Sequence, residues 1–359
     1  MGPSPCPLPQ GERGKEGNIL MKKKSWNVAI VGATGAVGGE LIKILESRKF
    51  PVEQLRLFAS EDSVGKSRAF QGKDFTVEAL VDDCFTDVDI AFFTAGSEVS
   101  KLHVPKAVEQ GAIVIDNTAQ FRMEQDIPLV VPEVNRHRIL YCKKRRIIAN
   151  PNCSTIQLVV VLKALMRRAK IKRVVISTYQ SVSGAGIEAM EELAAQSVAL
   201  FSNKESEAKV FPHRIAFNCL PHIDVFLEDG YTKEEWKLIN ETSKILETKI
   251  PMTATTVRVP VFYGHSESVN VELESNISCE EARRLLREAQ GVAVIDDPSK
   301  NEYPLALDCA GKDSIFVGRI RQDKSVPFGL NFWIVADNIR KGAALNAIQI
   351  AEVLIRECL

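Results

Sequence analysis

The chain reads as an α/β protein in two parts: a doubly wound parallel sheet, then an α+β domain, with a last helix returning to the first part. Three observations carry this. A short apolar run passes through a glycine-rich turn into a segment with helical spacing. Short apolar runs then alternate with helical stretches as far as residue 152, the pattern of parallel βαβ units. Beyond it the runs become longer and β-branched, as in mixed or antiparallel sheets.

In chain order, Trp26 to Val31 is the first strand, followed by Gly32-Ala33-Thr34-Gly35-Ala36-Val37-Gly38 and a helix carrying Leu41, Ile42 and Leu45. In a strand–turn–helix context, such glycines let the backbone approach a pyrophosphate whose charge then rests on the helix N-terminus, a Rossmann-type dinucleotide site. Further strands are predicted at Leu55 to Ala59, Val88 to Thr94, Ala112 to Asp116, Leu129 to Val131 and Ile147 to Ala149. Ligands bind at the carboxyl ends of such strands, which is where Ser60, Gly96, Asn117-Thr118 and the loop before Cys153 fall. The second part is predicted to hold strands at Arg173 to Tyr179, Ala254 to Phe262, Ser268 to Glu274, Ser314 to Ile320 and Leu330 to Val335, with helices at 187–200, 233–248 and 279–290. The amphipathic segment Lys341 to Glu357 is the returning helix. The expected division is 22–152 with 337–359 for the cofactor domain and 153–336 for the second.

A length of 359 residues, 45% apolar, suffices for two cores. Forty-six basic residues balance 46 acidic ones, so no global field recruits nucleic acid or an anionic membrane. The run Lys143-Lys144-Arg145-Arg146 reads as a solvated turn. Eight cysteines without C-x-x-C spacing suggest neither a zinc site nor a disulfide framework, and fit a reducing, cytoplasmic compartment. No metal is expected, and no apolar stretch is long enough to span a bilayer. Residues 1–21, rich in Gly and Pro and without a signal-type apolar region, are expected to form a disordered extension, with Met21 a natural start. A peptide from residues 1–20 in mass spectra of the native protein would sink the idea of a later start.

The chemistry centres on Asn150-Pro151-Asn152-Cys153-Ser154-Thr155, which sets a cysteine where the apolar run Ile156 to Arg168 begins. The unpaired N–H groups and positive dipole end of a helix favour thiolate, making Cys153 the candidate nucleophile; Ser154 and Gln157 stand at capping-box spacing. Gln180 ends a strand and leads into the flexible loop Ser181-Val182-Ser183-Gly184-Ala185-Gly186. His265, a short turn after the strand containing Arg258, has the neutral-range titration an acid or base needs. Glu241 and Lys244 share a helix face, and Arg122 offers a guanidinium fork to a phosphate or carboxylate.

These segments occur in an order that closely resembles bacterial aspartate-semialdehyde dehydrogenase, from about residue 25 to the C-terminus. The resemblance implies reduction of 4-aspartyl phosphate to aspartate 4-semialdehyde by a reduced nicotinamide cofactor through a cysteine thioester, toward lysine, threonine and methionine, in homodimers or dimers of dimers. Carried over by position, Cys153 is similar to the family's nucleophile, His265 to its acid/base catalyst and Gln180 to the residue orienting the acyl intermediate. Arg258 matches the substrate-carboxylate ligand, Glu241 the partner of the substrate amino group, and Arg122, Lys244 and Asn152 the phosphate-binding group. Gly32, Thr34, Gly35, Ala36, Val37, Ser60, Asp62, Gly184 and Asn338 are implied at the cofactor. One position departs from the pattern. Where the family often has Ser-x-Arg-Ser, this chain has Ser60-Glu61-Asp62-Ser63, and a carboxylate there suits a ribose diol better than a 2′-phosphate. NADP remains the family expectation, with NAD possible and specificity expected to be relaxed or NAD-leaning.

The nearest alternative is N-acetyl-glutamyl-phosphate reductase, with the same thioester logic but no free amino group on its substrate, so Glu241 discriminates. A non-catalytic homologue would not need both Cys153 and His265. A cysteine hydrolase would leave the glycine turn unexplained.

Overall fold

A computed structural model describes residues 23–359; the extension expected at 1–21 lies outside the described residues. The first part runs β1 (Trp26–Val31), α1 (Ala36–Ser47), β2 (Val52–Ala59), β3 (Ser67–Phe70), β4 (Lys73–Ala79), β5 (Ile90–Phe93), α2 (Ser97–Glu109), β6 (Ile113–Asp116), α3 (Pro132–Asn135) and β7 (Ile147–Ala149). These strands form one seven-stranded sheet in the order β3-β4-β2-β1-β5-β6-β7, parallel except for the antiparallel β3–β4 pair. Alternation along β1 sends Val28 and Ile30 to one core and Ala29 and Val31 to the other, as expected of a strand covered on both faces.

Cys153–Met166 forms α4, which leads into the second part: β8 (Ile171–Gln180), α5 (Ile187–Phe201), α6 (Lys233–Leu246), β9 (Met252–Arg258), β10 (His265–Leu273), α7 (Cys279–Arg287), β11 (Val292–Val294), α8 (Ala306–Cys309), β12 (Ile315–Asp323) and β13 (Gly329–Ala336). Its six-stranded sheet has the order β11-β12-β13-β10-β8-β9, antiparallel in the middle and parallel at both edges. Eleven residues of α4 are buried, because it is apolar all round and lies between the two sheets in one continuous core. Leu158, Leu162 and Leu165 have no exposed surface, and burying each contributes about 2 kcal/mol. Rigid support on both sides therefore fixes the start of α4, where Cys153 stands.

A π-turn at Arg340–Ala344 opens the last helix, α9 (Leu345–Glu357), which packs with α1 against the first sheet through Leu345, Ile348 and Leu354. The helix expected to begin at Lys341 thus begins in π geometry, a form that recurs at functional sites.

Several boundaries differ from expectation for identifiable reasons. Leu129–Val131 makes no strand, only a bridge from Leu129 to Ala149, because Pro128 and Pro132 bracket it and Pro132 starts α3. The unforeseen β3–β4 hairpin turns on Gln71 and Gly72, both with positive φ. Pro260 holds the ninth strand to Arg258, whereas the tenth starts early, which puts His265 on the strand itself.

Candidate functional site

The carboxyl ends of β5, β6, β8 and β9 and the N-terminus of α4 converge on a cleft of about 530 Å³. Cys153 lines it as the first residue of α4. The cap is Asn152, not Ser154 as the capping-box spacing suggested: its Oδ1 accepts from Ser154 N at 3.0 Å and Thr155 N at 3.4 Å. Asn152 enters extended and so presents its side chain to the first turn, as a cap residue must.

Although Cys153 retains some exposure, its thiol is enclosed, and burial together with the nearby Glu234 charge pushes it up to about 12, against the pull of Arg258 and Arg122. Helix-end electrostatics therefore do not make it a thiolate in the free protein, contrary to the expectation from sequence. A Cβ on Gly342 would stand 2.9 Å from the Cys153 Cβ, so only a glycine lets the π-turn approach this closely. That turn is anchored by buried Lys341, whose Nζ donates to both oxygens of Glu133 at 2.8 and 2.9 Å and to Gln349 at 2.7 Å.

Cations and carboxylates converge on the same cleft. Arg122 donates to the carbonyls of Asn150 at 2.9 Å and Asn117 at 2.7 Å and to Glu241 at 3.0 Å, so its fork is held rigidly at the cleft wall. Arg258 donates to the Ser181 carbonyl at 2.8 Å; burial, more than any neighbour, lowers its affinity for its proton. Glu234 accepts from Asn152 Nδ2 at 2.8 Å, Gln180 Nε2 at 3.2 Å and Lys237 Nζ at 3.2 Å, and Lys237 also donates to Asp224 at 2.6 Å. Burial works against the Lys237 charge, but Glu234 and Asp224 outweigh it and hold the ammonium more firmly than usual.

Glu241 and Lys244 do not line this cleft. Glu241 lies behind it, accepting from Arg122 and from the Asn152 backbone N–H at 2.7 Å. Lys244 donates to the carbonyls of Arg122, Glu124 and Ile127 at 2.7 to 2.9 Å and borders a separate cavity. The cleft is served instead by Glu234 and Lys237, the same spacing two turns earlier on α6. Sequence reasoning missed this pair because the two spacings are identical; the capping box formed by Thr232 and Glu235, which places Glu234 at the helix start, was the available signal.

His265 is fully buried. Its Nδ1 accepts from the Ser181 N–H at 3.1 Å and also meets the Ser181 hydroxyl, while Nε2 has no partner among the described residues. The backbone N–H can only donate, so a neutral ring carries its proton on Nε2. Burial, reinforced by Arg258, holds His265 well below its usual range and keeps it neutral. Nε2 turns toward Gly184, where a Cβ would stand 3.2 Å from it and 2.9 Å from Arg258 Nη1. Asn338 ties this loop down, accepting from the Ser181 and Ser183 hydroxyls and, at 3.0 Å, from the Gly264 N–H.

The glycine turn fits a dinucleotide. Gly32 has φ +90°, and a Cβ there would stand 2.5 Å from Thr94 Oγ1; Gly35 caps α1 without a side chain, leaving the first-turn N–H groups free for a pyrophosphate. Val37 reaches the catalytic cleft, while Thr34, Gly35 and Ala36 line an adjoining cavity of about 610 Å³. Ser60 and Asp62 are exposed at the end of β2 and line neither cavity. Arg68 lines the cofactor-side cavity and donates to the Thr34 carbonyl at 3.4 Å, and Lys66 donates to Ser63 Oγ at 3.3 Å.

Comparison with known proteins agrees with this geometry. Residues 27–141 match the profile of the semialdehyde dehydrogenase NAD binding domain, and 162–341 that of the semialdehyde dehydrogenase dimerisation domain. An aspartate-semialdehyde dehydrogenase of Aquifex aeolicus is 57% identical, over 92% of this chain and 98% of its own length. One from Legionella pneumophila is 53% identical over 93% and 96%. The crystal structure of aspartate semialdehyde dehydrogenase II of Vibrio cholerae, complexed with ASA, superposes with a TM-score of 0.92 at 47% identity, over 94% of this chain and all of that one. At this identity over more than nine-tenths of the chain, and with both domain profiles matched, the chain belongs to the aspartate-semialdehyde dehydrogenase family.

Proposed function

We propose that the protein reduces 4-aspartyl phosphate to aspartate 4-semialdehyde with release of phosphate, and that Cys153 carries the acyl group. The observation that bears most weight is one cleft holding a cysteine at a helix start, three cations and two carboxylates beside a dinucleotide turn. A zwitterionic amino acid bearing a phosphate needs that mixture. Arg258 takes the substrate carboxylate, Glu234 its ammonium, and Arg122, Lys237 and Asn152 the phosphate. An ammonium partner in the cleft favours this substrate over an N-acetylated one, a discrimination that passes from Glu241 to Glu234.

Cys153 sulfur attacks the acyl carbon, the acyl C–O bond to phosphate breaks as the thiol proton passes to the departing phosphate, and a thioester forms. A nicotinamide cofactor held at the Gly35 end of α1 would supply the hydride that the thioester carbonyl carbon requires. Nε2–H of His265 hydrogen-bonds the oxygen that gains charge, Gln180 orients the acyl group, and collapse of the hemithioacetal oxyanion breaks the C–S bond and frees the aldehyde, the sulfur taking up one proton from solvent.

The cofactor reading is NADP with use of NAD. Arg68 and Lys66 stand near the glycine turn, where they can supply the positive charge that Asp62 lacks, and a structure of the Candida albicans relative, 26% identical, was solved with NADP. A kcat/KM for NADH at least equal to that for NADPH would remove Arg68 and Lys66 from this role. Residues 22–152 with 337–359 serve as the cofactor domain, and 153–336 as the catalytic and dimerisation domain. The chain assembles as a homodimer or dimer of dimers, consistent with the dimerisation profile and the exposed Phe201–Phe217 pair; sedimentation equilibrium at the monomer mass would contradict this.

Purified protein given aspartate semialdehyde, phosphate and NADP or NAD should form reduced cofactor only when phosphate is present, and Cys153→Ala should abolish it. A folded sample inert with both cofactors would defeat the proposal.

A further inference from the structure

Glu267 is a carboxyl group sealed into the core two residues along β10 from His265. It has no exposed surface, and neither oxygen makes a well-aligned hydrogen bond among the described residues, although Gln157 lies against it. Such a residue costs several kcal/mol if ionised and unpaired, and an aliphatic side chain would fill the space without that cost. Its surroundings account for its presence. Glu267 is two residues along β10 from His265, hence on the same face. Directly opposite on β8 is Thr178, whose hydroxyl accepts from Gln180 Nε2 at 3.3 Å. Facing it from α4 is Gln157, four residues after Cys153 and on the same side of that helix, with Nε2 donating to the His265 carbonyl at 3.3 Å.

We propose that Glu267 is a positioning residue: its carboxyl O–H bonds the Gln157 side-chain oxygen, and the Glu267–Gln157–His265 chain holds the nucleophile helix against the acid/base strand. With Gln157 Nε2 donating to the His265 carbonyl, the amide oxygen of Gln157 is the acceptor to which a protonated Glu267 can donate. Burial drives the Glu267 carboxyl well above its usual range, which keeps that proton in place. The facing groups do not oppose this: β13 presents Ile334 and β8 Thr178, and the titratable neighbours, Cys153 on α4 and His265 on the same strand, are both held neutral. The inference rests on the roles proposed for Cys153 and His265.

The test compares Glu267→Gln, Glu267→Leu and Gln157→Leu in the full chain, with Cys153→Ala alongside. The amide can still donate to Gln157, so Glu267→Gln is expected to keep kcat within about threefold of wild type. Both leucine variants are expected to lose kcat by about 10- to 100-fold, with KM values nearly unchanged and a displaced pH profile. Thermal melting supplies a second readout that does not depend on turnover. A carboxyl raised in the folded state holds a proton that the unfolded chain releases, so its contribution declines as pH rises from the unfolded value toward the folded one. The melting advantage of Glu267→Gln over wild type should therefore grow between pH 6 and 9. Wild-type kcat and pH profile in both leucine variants, or a Gln variant as damaged as the Leu variant, would overturn the proposal. Turnover surviving in Cys153→Ala would instead overturn the reading of the site.

Discussion

Two helix N-termini meet the ligand clefts, and they are finished in opposite ways. At α1, Gly35 supplies no side chain and the first-turn N–H groups stay open. At α4, Asn152 caps the turn, and Glu234 is tied to that cap. The open end suits an anion that comes and goes, whereas the capped end has spent part of its positive field on its own side chains. Burial first, and then the Glu234 charge tied to that cap, keep Cys153 a thiol pushed up to about 12 despite its place on a helix start. Cys153 is thus set in place by packing, with its charge governed by the residues around it.

The largest effect separates the two ends outright. Cys153→Ala should abolish turnover, by about 10⁴-fold or more, while calorimetry finds cofactor affinity unchanged. Loss of both together would mean that the two ends are not independent. Next comes Gly342→Ala, whose methyl must displace Cys153; kcat should fall by about 100-fold with little change in cofactor affinity, as single-turnover kinetics would reveal.

Glu234→Gln sharpens the comparison at α4. Removing the charge that raises the thiol should speed Cys153 alkylation at neutral pH several-fold, while the KM for aspartate semialdehyde rises. Unchanged alkylation would show that burial acts alone. The smallest effect is expected at α1, where Gly35 already has the extended backbone of a cap residue. Gly35→Ser should add a few tenths of a kcal/mol to stability and weaken cofactor binding, since its hydroxyl competes for the same N–H groups.

How much was legible in advance followed from the range of the interactions. β1 and its glycine turn were readable because strand, turn and helix are contiguous and no distant partner decides them. Cys153 was readable for the same reason. Its cap was not, since Asn152 and Ser154 both fit a helix start and only the α6 contacts, Glu234 and Glu241, select Asn152. Glu234 with Lys237 and Glu241 with Lys244 have one spacing on one amphipathic helix, so the choice belonged to the tertiary packing of α6 against the Arg122 loop. Glu267 fell just outside the strand predicted from Ser268; its burial depends on α4 covering β10, which no local pattern encodes. Asp62 was legible as a departure, and Lys66 and Arg68 as nearby charges able to reach back, but the hairpin that carries Arg68 was not evident from the alternation in Ser67–Phe70.

The most direct test of the contrast between the two helix ends is the rate of Cys153 alkylation by iodoacetamide in the free enzyme as a function of pH, with the other exposed thiols removed by substitution. Burial and Glu234 hold the proton on sulfur, so the rate should climb about tenfold per pH unit without levelling through pH 9. A plateau reached below pH 8 would mean that the helix end generates a standing thiolate, and would contradict the account.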